Sequence, residues 1–448
     1  MSISNKTEPL FLLLGDIFFL VVSLWLALLI RYGEAEVYTQ FAAHIEPFSI
    51  LFIVWLFVFF IAGLYEKHTL LLKNRLPSLI LNTLLANTIL AVLFFYLIPY
   101  FGIAPKTNLF IYLLASFALL VIWRQSAVHV LSSPRRWNTV LVGTGDMLRD
   151  LQREINHNSR YSLKVVDVVD TNDCSGDECL RRVQHALEEK GATIVIADTH
   201  HPVVEEIIPQ LYNLLFEGVR FLDMAVVYEE VFDRIPLSLV KYSWFLEHLR
   251  STKGVYDGFK RAMDIILALI GGVVSLVFYP FIIAAIKLDD GGLIFYTALR
   301  TGQNNEPFVL YKFRTMSSMD GGKEVVKSNG EITRVGQFLR KSRLDELPQF
   351  WNVFRGDISF VGPRPEFPEL VRHYKEEVPY YNVRHLIKPG LSGWAQMYHE
   401  NHPHHGADAS ATKEKLSFDL FYIKNRSIIL DIKIALKTLK VFFIRSGR

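Results

Sequence analysis

Four apolar runs near the start of the chain constrain its fold more than any other feature. They cover roughly Leu10 to Ile30, Phe48 to Leu64, Leu79 to Tyr100 and Leu109 to Val130. Each approaches the length of about 20 residues that a helix needs to cross a bilayer. The sequence therefore predicts a four-helix transmembrane bundle over residues 1–133. The first run lacks a basic start and a small-residue cleavage site, so it reads as a retained span and not as a signal peptide. Positive charge gathers in the second loop (Lys67, Lys73, Arg75) and after the fourth run (Arg124, Arg135, Arg136). That bias predicts a cytoplasmic N-terminus and a cytoplasmic location for everything beyond Val130. Asp16, Asn82 and Asn87 are the polar residues deep in these runs. An ion or solute pathway calls for more ionisable groups, and the bundle reads as an anchor.

The chain has 448 residues, enough for two or three cores. Its net charge of +3 is unevenly spread. Residues 1–250 hold 20 Lys and Arg against 25 Asp and Glu, whereas residues 251–448 hold 28 against 20. A basic C-terminal half suits acidic partners (phosphates, nucleic acid or anionic lipid) and equally suits a face lying beside a negatively charged membrane. The two cysteines, Cys174 and Cys179, are expected to form neither a zinc site nor a disulfide framework.

From Thr139 the pattern changes. "NTVLVGTGDMLRDLQREI" reads as strand, glycine turn and helix, and "LKVVDVVD" and "ATIVIAD" read as further strands. Alternating strands and helices predict a parallel sheet, an α/β Rossmann-like module over residues 138–245. The turn Gly143–Thr144–Gly145 begins a dinucleotide fingerprint, but position 148 is leucine where a third glycine belongs. A structural or regulatory module is favoured over a nucleotide site.

The next apolar run, Ala262 to Leu288, is long enough to span. Lys260 and Arg261 precede it and Lys287 follows it, so both ends favour the cytoplasmic side. Pro280 removes a backbone donor and breaks the helix, while Gly271 and Gly272 are expected to soften its first half. These features predict a re-entrant membrane helix over 262–288, with a fifth spanning helix as the alternative.

Beyond it, cations cluster: Lys312, Arg314, Arg334, Arg340, Lys341, Arg343, Arg355 and Arg364. Arginine offers a planar fork for phosphate oxygens. Within this stretch lies "RKSRLDELPQ", where Asp345 and Glu346 stand side by side. Two adjacent carboxylates attract a divalent cation such as Mg²⁺, which takes one or two carboxylates plus substrate phosphates. A carboxylate is also a competent nucleophile toward phosphorus. Nearby arginines are expected to keep Asp345 ionised. Capping of a helix that opens near Pro348 explains the pair equally well.

These segments resemble a known family. "KRAMDIILALI", "YKFRTM", "ITRVGQFLRKSRLDELPQFWNVFRGDISFVGPRPE", "KPGLSGWAQ" and "FDLFYIKNRSIILDIKIALKTL" are similar, in order, to the motifs of the bacterial sugar transferases, the monotopic polyprenyl-phosphate hexose-1-phosphate transferases. The resemblance covers about Lys253 to Ser446, giving a mostly α, membrane-associated catalytic domain over 253–448. The order of bundle, α/β module and catalytic domain resembles the large subclass. The resemblance implies a membrane enzyme of the bacterial inner membrane, facing the cytoplasm, that starts exopolysaccharide, capsule or O-antigen assembly. Its implied partners are a nucleoside-diphosphate sugar, with uridine diphosphate the family expectation, polyprenyl phosphate and the bilayer, with pairing of two copies through the middle module and no nucleic acid. Asp345 would match a nucleophile that carries a phosphosugar, and Glu346 a Mg²⁺ ligand beside it. Arg340 and Arg364 would match phosphate contacts, with Lys312 and Arg314 in the same basic basin. Lys260 and Arg261 would match a basic pair near the arriving lipid phosphate. Tyr279 stands where the family often has serine, Thr297–Gly302 keeps only Arg300 and Gly302 of a common motif, and Glu331 replaces a common arginine.

His399, His402, His404 and His405 could bind zinc or form a loop near a sugar. The last stretch, from Ser427, alternates apolar and basic residues at helical spacing and suits either the membrane interface or the catalytic core. Two rival functions remain: a non-catalytic membrane scaffold or nucleotide sensor, and a redox or epimerising enzyme acting through the middle module.

Overall fold

The computed structural model describes residues 8–65, 76–101, 106–131, 136–158, 161–249, 254–317, 331–398 and 409–445. Lys67, Lys73, Arg75 and the histidines at 399, 402, 404 and 405 lie outside them. The described residues fall into two compact units, Met1–Val231 and Phe232–Arg448.

Among the described residues three helices are long and apolar enough to cross a bilayer, where the sequence predicts four spans. The difference lies at Gly33. Helix α1 (Glu8–Ile61) joins the first two apolar runs, but its backbone breaks at Gly33, at φ 75 and ψ 178. An unbroken helix of 54 residues would be about 80 Å long. Instead the chain doubles back, because Tyr65 Oη donates to Asp16 Oδ2 at 2.7 Å across 49 residues. Helices α2 (Leu76–Leu97) and α3 (Lys106–Leu131) complete the bundle. Its core gathers Leu20, Leu24, Phe48, Trp55, Leu84 and Tyr112.

Asp16 and Arg124 explain each other. Both are fully buried, and the Arg124 guanidinium grips both carboxylate oxygens of Asp16 while Nη1 donates to the Leu64 carbonyl at 2.7 Å. Arg124, grouped by sequence with the loop cations, is thus a clasp inside the bundle. At the other end Arg31 donates to Asn108 Oδ1 at 2.9 Å, and Asn108 meets His44 at 3.1 Å.

The same unit holds a four-stranded parallel sheet. Strand β1 (Trp137–Gly143) leads through α4 (Asp146–His157) to β2 (Leu163–Asp170), then α5 (Gly176–Glu188), β3 (Ile194–Ala197), α6 (Pro202–Asn213), β4 (Arg220–Asp223) and α7 (Met224–Phe232). The spatial order is β2-β1-β3-β4. The near-continuous apolar runs of β1 and β3 are buried because helices cover both faces. Leu148 packs in this core where a fingerprint glycine would stand. Cys174 and Cys179 are joined by a disulfide, against the sequence expectation. The first turn of α5 carries Cys179 back over the preceding loop, leaving the Cα atoms 5.4 Å apart.

In the second unit, α8 (Tyr242–His248) precedes α9 (Val255–Leu276) and α10 (Tyr279–Asp289). The last two form an apolar pair bent by 55°. Pro280 lies in the first turn of α10, where a proline without an N–H is tolerated, and the bend falls just before it. Gly271 does not loosen α9 as expected. A β-carbon there would lie 3.0 Å from the Phe350 ring, so the glycine permits close packing. Hairpin β5 (Phe295–Thr301) and β6 (Pro307–Phe313) is followed by α11 (Arg334–Ser342), α12 (Gln349–Arg355), β7 (Ser359–Val361), α13 (Pro368–Glu377), β8 (Gly390–Ser392), α14 (Trp394–Tyr398), α15 (Ala409–Asn425) and α16 (Ile428–Arg445). Ile434 of α16 is buried beside Trp394 and Tyr422, so this part of the last helix packs on the core.

Asp16→Ala leaves Arg124 buried without its counter-ion. We expect a loss of about 3 kcal/mol, read as a lower melting temperature of the chain in detergent. An unchanged melting temperature would contradict the clasp.

Candidate active site

The carboxylate pair is built by a close approach. Thr333 caps α11, its Oγ1 accepting from Gly336 N at 2.9 Å. A β-carbon at Gly336 would lie 2.1 Å from the Thr315 carbonyl oxygen, so only glycine lets α11 ride over that backbone. One turn later Arg340 Nε donates to Thr315 Oγ1 at 2.9 Å. Arg343 then adopts a left-handed conformation at φ 52, which ends α11 and turns the chain into a short 3-10 turn, Leu344–Glu346.

In that turn Asp345 is 7% exposed, while Glu346 is partly buried. Lys312, on β6, reaches both. Its Nζ donates to Glu346 Oε1 at 2.9 Å and lies 4.0 Å from Asp345 Oδ2. Arg364 Nη2 lies 3.9 Å from Glu346 Oε1. Neither carboxylate caps α12, whose N-cap position is Pro348 without a side-chain bond.

These contacts split the two acids. Burial raises the pKa of Asp345 to about 6, aided by the charge of Glu346 and opposed by Lys312 and Arg340. Burial also works against ionised Glu346, yet Lys312 and Arg364 overcome it and hold that carboxyl at about 2. Arg340 favours the ionised form of Asp345, as expected of a nearby arginine, and Lys312 does so more strongly; burial outweighs both, and the group titrates at about 6. Two oxygen donors of one dyad, one of them firmly ionised, fit a hard divalent cation that completes its shell with water and phosphate oxygens. Among the described residues no third Asp, Glu, His or Cys joins them.

Arg364 is aimed by its backbone. Each carbonyl from Pro363 to Glu366 accepts a hydrogen bond from a different donor: Gly390 N (2.9 Å), Arg384 Nη2 (3.1 Å), Arg300 Nη1 (3.4 Å) and Thr301 N (2.9 Å). Arg384 is buried and also pairs with Asp419 at 2.9 Å. Arg300 stacks on the Phe367 ring, 3.4 Å from its centroid.

The other sequence candidates sit elsewhere. Arg314 is buried and paired with Asp290, passing over Gly292, where any β-carbon would clash with it. Lys260 pairs with Asp431 at 2.7 Å. Arg261 donates to the Val353 and Phe354 carbonyls, each at 2.7 Å. Pro280 shapes the bend and contributes no polar contact. Sequence reading missed Thr315, Arg384, Asp419 and Asp431. Asp419, between Phe418 and Leu420, and Asp431, between Leu430 and Ile432, each stand among apolar neighbours and were the available signal for buried cation partners.

The family model for bacterial sugar transferases matches residues 255–445. The UDP-N-acetylgalactosamine-undecaprenyl-phosphate N-acetylgalactosaminephosphotransferase of Aeromonas hydrophila is 40% identical over 199 residues, 43% of this chain and 45% of that protein. The uncharacterized sugar transferase EpsL of Bacillus subtilis is 35% identical over 189 residues, 42% of this chain and 89% of EpsL. The UDP-glucose:undecaprenyl-phosphate glucose-1-phosphate transferase of Escherichia coli is 38% identical over 201 residues, 43% of this chain and 42% of that protein. The chain thus aligns with under half the length of the Aeromonas and Escherichia proteins and with most of EpsL.

Arg384→Met leaves Asp419 buried and unpaired. We expect a loss of about 3 kcal/mol in denaturant unfolding, largely recovered in Arg384→Met/Asp419→Leu. A double variant as unstable as the single one would refute the pairing.

Proposed function

Because the chain belongs to the bacterial sugar transferase family, we propose that it moves a sugar-1-phosphate from a UDP-sugar to undecaprenyl phosphate, starting an exopolysaccharide, capsule or O-antigen unit. The observation that carries this reading is the split dyad: a buried Asp345 titrating near 6 beside a Glu346 held ionised by Lys312 and Arg364. Asp345 attacks the phosphorus bound to the sugar, forming an Asp345–phosphorus bond. The bond to the bridging oxygen breaks and uridine monophosphate leaves. An oxygen of undecaprenyl phosphate then attacks the same phosphorus, releasing Asp345 and giving an undecaprenyl-diphosphate sugar. Arg340 and Arg364 balance charge on the phosphate oxygens. Asp345 and Glu346 would hold Mg²⁺, which supplies further neutralisation of the diphosphate.

The placement belongs to the same proposal. Helices α9 and α10 enter the bilayer and return, an inference supported by the 55° bend and by cations at both flanks. The bundle anchors the chain in the inner membrane, and the catalytic unit faces the cytoplasm. The parallel sheet serves as a Rossmann-like module through which two copies pair.

The purified chain should release uridine monophosphate from one member of a panel of UDP-sugars when given Mg²⁺ and undecaprenyl phosphate. Asp345→Asn keeps the shape and removes the nucleophile, so release should fall by more than about 10³-fold. Wild-type turnover by that variant would end the proposal. Protonation of Asp345 disables it, so the rate should be full only well above pH 6, half-maximal at about 6 and lost below it. A rate that stays level through that range would remove Asp345 from this role.

A further inference from the structure

A second basic centre lies at the far end of α12. A cavity of about 280 Å³ is lined by Lys260, Arg261, Lys388 and Arg426, with Asp257 and Asp264. None of the cations around the carboxylate pair takes part. Most of these charges are already matched. Lys260 pairs with Asp431 at 2.7 Å and Arg426 with Asp257 at 3.3 Å. Arg261 caps the C-terminal carbonyls of α12. Lys388 differs. Among the described residues its ammonium makes no hydrogen bond and no ion pair, and it is half-buried.

Gly356 shows how close Arg261 and Lys388 come. A β-carbon there would lie 3.1 Å from Arg261 Nη2 and 3.2 Å from Lys388 Nζ. The two nitrogens are therefore no farther apart than the sum of those distances, about 6.3 Å. Gly356 sits at φ 94, ending α12, so the space it leaves is open to no other residue without strain. Asp264 and Asp357 attract Lys388 without pairing with it, and two like charges this close favour a further anion between them.

The depth of this pair points to the source of the anion. One turn beyond Arg261 the exposed face of α9 becomes apolar, through Ile265, Ile266, Leu269, Ile270, Val273 and Val274. Lipid phosphates lie at the level where such a face gives way to cations. Asp345 is at the opposite end of α12. Lys312 of β6 meets Glu346 there, while Asn352 bonds Val309 farther along the same strand. Eleven residues of mostly helical backbone separate Asp345 from Gly356, about 15 Å of rise. A phosphate held by Arg261 and Lys388 is out of bonding reach of Asp345.

We propose that Arg261 and Lys388, astride Gly356, form a second lipid-phosphate site that holds the headgroup of an anionic phospholipid, separate from the acceptor consumed at the carboxylate pair. It rests on the proposed function for which phosphate reacts at Asp345 and for the seating of α9 in the bilayer.

Native mass spectrometry of the full chain, released from phosphatidylcholine nanodiscs containing some phosphatidylglycerol, tests this. Wild type and Lys388→Arg should retain phosphatidylglycerol preferentially. Lys388→Met, or Lys388→Gln should that variant not fold, should lose the preference by about tenfold. Added undecaprenyl phosphate or millimolar inorganic phosphate should leave the bound lipid in place. Retention by the neutral variants equal to wild type would overturn the proposal. So would one-for-one displacement by undecaprenyl phosphate, which would make this the acceptor's own site, or displacement by inorganic phosphate, which would make it a soluble-anion site. Lipid retention is read without turnover, so failure of the transferase reading would leave the result intact.

Discussion

The contact between Lys312 and Glu346 sets the chemistry of the whole second unit. Two neighbouring carboxylates placed in a poorly solvated turn would both rise in pKa, and one would take up a proton. A single ammonium at 2.9 Å from Glu346, with Arg364 beyond it, breaks that symmetry. Glu346 becomes a fixed negative charge. Asp345, next to that charge and more deeply buried, is left poised near neutrality. The two neighbouring acids are thereby made inequivalent.

That contact depends on backbone placed without freedom to drift. Lys312 is fixed by its strand, since β6 pairs with β5 along its length. The dyad is fixed by α11, which Gly336 allows to lie directly on Thr315. Arg364 is fixed by four carbonyl bonds in a row, two of them from buried or stacked arginines. Arg300 and Arg384 each donate to a main-chain oxygen of this stretch. A guanidinium has five donors in a rigid fork, so it can satisfy a buried carboxylate and a carbonyl together.

Helix α12 gives this unit two charged ends with different tasks. Its first turn follows the reactive pair, and its last carbonyls receive Arg261 from the foot of α9. Phe350 packs against Gly271 on the side, tying α12 to the apolar helix. The carboxylate pair is thereby held at a set distance along α12 from the apolar face of α9. Within the first unit the comparable restraint is the Asp16–Arg124 clasp, which ties the ends of three apolar segments together.

Much of this was legible along the chain. Apolar length and flanking charge give the membrane helices, because a bilayer imposes one length on any helix that crosses it. The alternating pattern after Thr139 gives the parallel sheet, and adjacency alone picks out Asp345 and Glu346. The sequence left open which cations serve the pair, since Arg314 and Lys312 are two residues apart and share a charge. Side chains two apart on a strand point to the same face, so local pattern cannot separate them. Asp290, from the end of α10, draws Arg314 away, and Glu346 draws Lys312 in. Likewise the close approach of Lys388 and Arg261 follows from chain segments meeting in space. The sequence by itself determined which segments are apolar and where the adjacent acids stand. Only the tertiary structure decided which charge meets which, because electrostatic energy depends on separation and burial that residues distant in sequence impose on one another.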